Sequence, residues 1–351
     1  MSSHATARAF ASGAVSATWP ENPVLTRVWR GSYVESQHRG AWVLVDSSGT
    51  VLDGAGAVGA PVFARSSIKS LQALPLIETG AAERFTFSDD ELCVALASHD
   101  AEPMHTTRVA RLLSRMGLET AHLLCGPQPP GSSAARAALV RAGEQPTALH
   151  NNCSGKHAGF LALALHLGVE PALYLDPQAE SQLRVRRAVE EMTGVGPDEV
   201  QTAVDGCSAP TFRLPLAKLA TAIARVANPQ GLTSARRAAC QRMLRAVAAH
   251  PELIAGTRER ICTDLARVSA GKLFPKIGGE AVYLIGAVGR DRGLAIKVDD
   301  GSYRGFHALI VELCARFGWL TAREVEALEA WRERTLANWA GRAVGRVEVV
   351  A

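Results

Sequence analysis

Residues 66–77 read SSIKSLQALPLI, and the character of the chain changes there. Upstream, residues 24–29 (VLTRVW) and 41–45 (AWVLV) are alternating or continuously apolar with β-branched members, which predicts strands. Asp46-Ser47-Ser48-Gly49 makes a turn and residues 50–53 return, so a hairpin is expected. From Ser66 onward Ile68, Leu71, Leu74, Leu76 and Ile77 recur at helical spacing, with Pro75 expected to end or kink the helix.

Helical periods continue over residues 106–116, 155–167, 216–226 and 234–249. Residues 155–167 are apolar nearly all round, which predicts a buried helix. Asp176-Pro177 reads as the cap of a helix running to Glu191, with proline at its first position. Strand composition returns at residues 282–288 and 294–298, followed by helices over 304–317 and 321–339 and a last strand over 344–350. Strands, a long helical middle and strands again exclude βαβ repetition. The expected fold is α+β: an antiparallel sheet built from N- and C-terminal strands, with flanking helices and a helical lobe (66–270) inserted between them. One large domain spanning 1–351 is expected, with residues 1–22 frayed.

Composition narrows the function classes. The 351 residues are 47% hydrophobic and 21% charged, ordinary for a chain with a real core. A formal charge of +4 with 5% aromatics gives nucleic-acid binding little support. No apolar run is long enough to span a bilayer, and the N-terminus lacks the apolar core of a signal peptide. Seven scattered cysteines do not make a disulfide framework, so a reducing, cytoplasmic setting is expected. Six lysines stand against thirty-two arginines. A lysine kept in so arginine-rich a chain suggests a task needing an amine that can lose its proton.

Ser66-Ser67-Ile68-Lys69 is an SxxK, which on a helix sets a serine one turn from a candidate base. So short a motif also arises by chance, and a second copy, Ser269 to Lys272, sits in loop-like sequence. Ser98-His99-Asp100 after an apolar run and Lys276-Ile277-Gly278 before the last strands strengthen the first copy. Serine penicillin-recognising enzymes carry SxxK, a serine-led triplet and K-T-G in that order. The opposing reading makes Ser98 a helix cap and Lys276 a surface charge.

Residues 150–157 (HNNCSGKH) open the buried helix with unusual polar density. They lack the first glycine and the final Ser/Thr of a phosphate loop. Cys153 and His157 stand four apart, a metal-compatible spacing, and Cys207 is a possible third ligand; inert buried thiols explain the same cysteines. Residues 54–59 (GAGAVG) match GxGxxG, but Pro61-Val62-Phe63 opens no helix, so a dinucleotide site is rejected.

Taken together, ARSSIKSLQALPLIETGAA, LASHDAEPMH, CGPQPP, HNNCSGKHAGFLALA, YLDPQ, VDGCSAPTFRLPLAKLA, HPELIAGT and FPKIGGEAVY resemble, in that order, the rhizobial-type L-asparaginase II family. The resemblance runs from about residue 24 to about residue 300. It implies a serine β-lactamase- and glutaminase-like fold, usually homodimeric, and hydrolysis of L-asparagine to aspartate and ammonia. It implies two serine–lysine pairs, Ser66 with Lys69 and Ser98 with Lys276, and a zinc ion held by Cys153, Lys156 and Cys207. Here Lys156 takes the place the spacing alone offered to His157. Arg65, His157 and Asp205 match residues near that centre and are expected to bind substrate. Asp100-Ala101 departs from the family's small polar residue and glycine, and Ala281 replaces a glycine. A glutaminase or other serine amidase, a non-catalytic amino-acid-binding protein and a thiol hydrolase using Cys153 are the competing functions.

Overall fold

The computed structural model describes residues 20–351. Its strands are β1 (Val24–Arg30), β2 (Tyr33–Val45), β3 (Val51–Ala55), β4 (Pro61–Phe63), β5 (Gln201–Val204), β6 (Pro210–Pro215), β7 (Leu273–Ile277), β8 (Val282–Ala287), β9 (Arg292–Val298), β10 (Leu336–Ala337) and β11 (Ala343–Val349). Eight of them make one antiparallel sheet in the order β10-β11-β1-β2-β9-β8-β7, with β3 added against β2. The molecule is therefore α+β, and both ends of the described chain meet in one sheet. The 13-residue strand β2 joins the two halves, pairing with β1 along its first part and with β9 from Gly40 onward. The other three strands form a small sheet, β4-β6-β5, among the helices.

Close approach fixes how helices meet this sheet. Gly286 and Gly293 are cross-strand partners on β8 and β9. A Cβ at either would overlap helix Leu216–Ala227, at Ala227 and Ile223 in the first case and at Ala220 in the second. Glycine on both strands thus lets the helix lie directly on the backbone. A second tight crossing positions the site. Helix Ser154–His166 buries every residue from Ser154 to Ala164, as its all-round apolarity predicts. A Cβ on its Gly155 would collide with the carbonyl of Val94, at the end of helix Asp89–Leu96. The start of the buried helix, with Cys153 and Lys156, is thereby brought beside the segment that leads to Ser98.

Several expectations are corrected. Pro75 does not stop its helix, which runs Lys69–Glu78; only the last turn lies beyond the proline, and Pro75's carbonyl accepts from Thr79 Oγ at 2.7 Å. Asp176-Pro177 forms a turn, Asp176 accepting from the Gln178 N–H, and the helix begins later, at Glu180–Thr193. The helix expected over 321–339 ends at Ala327, because the chain must turn back into β10. A 3₁₀ turn and Glu333 in the left-handed region make that reversal. Lys276 lies within β7 rather than before the strands. The rejected GxGxxG segment runs from β3 into β4 with no helix between. The fraying expected of residues 1–22 falls mostly outside the described residues, but Asn22 is buried and donates to Asp299 at 2.8 Å. All seven cysteines are buried free thiols. Among the described residues no helix is long and apolar enough to cross a membrane.

Candidate active site

Strand β4 delivers the chain to a strained turn. Ala64 N–H still bonds to Phe212, but Arg65 takes φ +51°, and a single 3₁₀ turn, Arg65–Ile68, carries Ser66 before the helix starts at Lys69. A non-glycine residue held there costs on the order of 1–3 kcal/mol and persists only when its surroundings over-determine it. They do so here. Arg65 Nε donates to Asp205 Oδ1 at 2.7 Å, and Ser67 Oγ donates to the Ala64 carbonyl at 2.7 Å. Gly278, just beyond β7, leaves no room for a Cβ against Ala64. Ser66 is left half-buried at the wall of a cavity of about 580 Å³.

Ser98 lines the same cavity, and two buried amines converge on it. Lys69 Nζ donates to Ser98 Oγ at 3.1 Å and also to the Ala97 carbonyl. Lys276 Nζ donates to the same hydroxyl at 2.9 Å and to the Ile277 carbonyl at 2.8 Å. Both lysines are effectively shut off from solvent. Burial, and then the charge of Lys69, push Lys276 down to about 7; burial likewise lowers Lys69, with Lys156 adding to the effect. An amine near 7 is poised to take and return a proton at neutral pH. The pairing differs from the one the SxxK spacing suggested. Lys69 turns to Ser98, while the hydroxyl of Ser66 lies 3.9 Å from Cys153 Sγ. Cys153 acts on Lys69 as well, its charge opposing the effect of burial.

The opposite wall is a sulfur corner. Cys153 caps helix Ser154–His166, Lys156 sits in that helix's first turn, and Cys207 comes from the turn between β5 and β6. Lys156 Nζ donates to Cys207 Sγ at 3.2 Å. Cys153 is held well below the usual thiol range, first by a hydrogen bond from Cys207 and then, against burial, by Lys69 and Lys156. Donating that bond, together with burial, pushes Cys207 up. Burial pulls Lys156 down, but the two sulfurs and Asp205 outweigh it and raise it. Burial would raise Asp205 too, yet Lys156 and Arg65 hold it below the ordinary carboxylate range.

Among the described residues no three His, Cys, Asp or Glu side chains converge as metal ligands. Cys153, Cys207 and Lys156 nevertheless bring two sulfurs and a nitrogen to one point, a donor set that suits zinc. The residues fit, provided Lys156 gives up its proton on binding.

His157 is placed elsewhere. Its ring is fully buried, Nδ1 lies 2.6 Å from the Tyr174 hydroxyl, and it does not line the cavity. Burial, then Lys156 and Lys69, keep it neutral. It lies behind Lys156 and is not brought to the cavity wall that Arg65 and Asp205 line. Arg65 and Asp205 do line the cavity, but paired with each other. Arg260, Cys262, Tyr303 and His307 also line it and were not singled out by sequence reading. They come from the approaches to two helices, Ile261–Val268 and Phe306–Arg316, and from the first turns of those helices, with no motif, so no local pattern marks them. The second SxxK is structural: Ser269 bonds to its own helix end and Lys272 pairs with Glu324 on the surface.

Residues 26–349 match the model of one protein family, L-asparaginase II, and the chain belongs to that family. No curated protein matches it.

Proposed function

Proceeding from that membership, we propose that the protein hydrolyses the side-chain amide of L-asparagine to aspartate and ammonia by serine–lysine catalysis. The observation that carries the reading is the Ser98 hydroxyl held between the buried amines of Lys69 and Lys276, in the cavity that Ser66 faces. Ser66 Oγ attacks the amide carbon and its proton passes to neutral Lys69, which reaches it by leaving Ser98. The tetrahedral oxyanion is held by backbone N–H groups around Ser66. As the C–N bond breaks, Lys69, Ser98 and Lys276 return a proton to the nitrogen, which leaves as ammonia. Water then attacks the acyl carbon and yields a proton to the same amines; as the C–O bond to Ser66 breaks they pass that proton to Ser66 Oγ, which restores the hydroxyl and releases aspartate. Proton delivery of this kind contributes roughly a hundred- to ten-thousand-fold.

Arg65 and Asp205 are the natural partners for the substrate's α-carboxylate and α-ammonium, exchanging their mutual ion pair for the two substrate charges. Zinc bound by Cys153, Lys156 and Cys207 would order this wall and supply a Lewis acid near the substrate's polar groups. The sheet made from both chain ends, with helices inserted, fits a serine β-lactamase- and glutaminase-like fold. A cytoplasmic homodimer belongs to the same reading; seven unpaired thiols are consistent with a reducing compartment.

A second reading exchanges the serines. Ser98 holds both amines, so it is the hydroxyl already within reach of a base. Ammonia release from L-asparagine and L-glutamine, measured for the wild type, Ser66→Ala and Ser98→Ala, tests both. Release from asparagine with an acyl adduct trapped on Ser66 supports the first mechanism, and an adduct on Ser98 the second. No release from either amide by folded, zinc-loaded protein would overturn the activity.

A further inference from the structure

Resting on the reading that Ser98 and its two lysines move the proton, the geometry points to Asp100 and Arg260 as a brace that fixes the position of Ser98. Arg260 uses both arms of its guanidinium. One donates to Asp100 Oδ1, and the other donates to the Ser98 carbonyl at 2.7 Å. Asp100 thus fixes a group that in turn fixes the backbone of Ser98.

The carboxylate is seated rather than merely paired. Asp100 is buried, and a Cβ on Gly131 or on Gly256, which has φ +154°, would run into its side chain. Two glycines therefore form the socket, and no larger residue at either position leaves space for the carboxylate. The backbone of the loop is tied on both sides as well. Ser98 N–H bonds to Ile254 at 3.2 Å and Asp100 N–H to Ala255 at 2.8 Å, while His99 N–H bonds to Asn152 beside Cys153. The next residue, Ala101, takes φ +57°. A loop carrying that strain keeps one conformation only if its contacts over-determine it.

The brace also stands at a partition. Arg260 lines the 580 Å³ cavity with Ser66 and Ser98, and it lines a second cavity of about 740 Å³, with Asp100, on its other side. A guanidinium released from Asp100 is free to swing into either space. Its charge is already matched by Asp100, and each terminal nitrogen gives a donor to a protein oxygen. Arg260 is thus a positioning residue, tied to the Ser98 backbone as well as to Asp100.

The test compares Asp100→Ala, which removes the hold on Arg260, with Asp100→Asn, which keeps an acceptor oxygen at nearly the same place. Arg260→Lys, whose single amine cannot span both acceptors, guards against an alanine variant that fails to fold. Misplacing a reacting group by about 1 Å costs on the order of a hundredfold. Asp100→Ala and Arg260→Lys are expected to lose about ten- to a hundredfold in kcat on asparagine, with KM within about threefold of wild type. Asp100→Asn is expected to recover most of that loss. A readout independent of turnover is the NMR spectrum of ¹³Cε-lysine, simple in a chain of six lysines. The Lys69 and Lys276 signals should move in Asp100→Ala while that of surface Lys272 stays. Wild-type kcat with unmoved signals in a folded variant, a rise in KM alone, or an asparagine variant as poor as the alanine one would each overturn the brace. Moved signals in a protein whose wild type hydrolyses no amide would leave the brace standing and remove the asparaginase reading instead.

Discussion

Lys276 and Lys156 are both shut off from solvent around one cavity, yet Lys276 is pushed down to about 7 and Lys156 is raised above an ordinary lysine. Burial alone lowers both, so it does not explain the difference. Lys276 faces a hydroxyl, a carbonyl and a second amine, none of which repays the loss of water around a charge. Lys156 donates to the Cys207 sulfur and lies near the Cys153 thiolate and the Asp205 carboxylate, and their pull on its charge outweighs the same desolvation. One corner prepares an amine to exchange protons, and the other prepares a charged cluster that a metal ion would replace.

Methionine in place of each lysine separates the corners most sharply. Lys69→Met is expected to cut kcat by about a thousandfold or more, since it removes the amine that takes the Ser66 proton in the proposed reaction. Its melting temperature should hold or rise, because a buried amine gives way to an isosteric apolar chain. Lys156→Met is expected to do the reverse to stability. It strands sulfur charge in the interior, at a cost on the order of 3 kcal/mol, and it should abolish stoichiometric zinc uptake measured by elemental analysis. Equal stability losses in the two variants would break the comparison.

The pH response comes next in size. With Lys276 near 7, kcat/KM should rise with unit slope through about pH 7 and level off above it, a limb that Lys276→Met lacks. The stability signs are opposite at the two corners. Lys276 has a depressed folded pKa, so the unfolded chain holds a proton the folded one lacks between about 7 and about 10.4. Stability from this group is full above that window and is lost as pH falls through it. Lys156 is raised, so its contribution is full below the ordinary lysine range and is lost as pH rises beyond it. Urea unfolding across pH 6 to about 11 for each methionine variant reads both slopes.

The smallest effect sharpens the role of strain. Ala101 and Ala281 both sit in the left-handed region, at φ +57° and +50°. Glycine there relieves about 1–2 kcal/mol but forfeits about 0.8 kcal/mol for a buried methyl. Ala101→Gly and Ala281→Gly are therefore expected to stabilise by less than about 1 kcal/mol, seen as a small upward shift of the urea midpoint.

Much of this was legible before any coordinates. Strands at both ends, the all-round apolar helix and helix Ser234–Ala249 follow from period and composition, which are properties of neighbours in the chain. The small sheet β4-β6-β5 was not legible, since its strands are three to six residues long and β4 pairs with β6 across about 150 residues. Arg260 was not legible either: nothing near it in the chain hints at Asp100 or Ser98, which lie 160 and 162 residues away.

The sequence by itself determined the family and which residue types stand ready: two serines, three buried-site lysines and two thiols, each in a recognisable segment. Only the tertiary structure decided which amine meets which group. Lys69 lies one helical turn from Ser66, yet its partner is Ser98, 29 residues away, joined there by Lys276 from 178 residues off. Local spacing fixes which face of a helix a side chain leaves from. The partner it finds, and with it the charge it carries, depends on the elements that packing brings against that face.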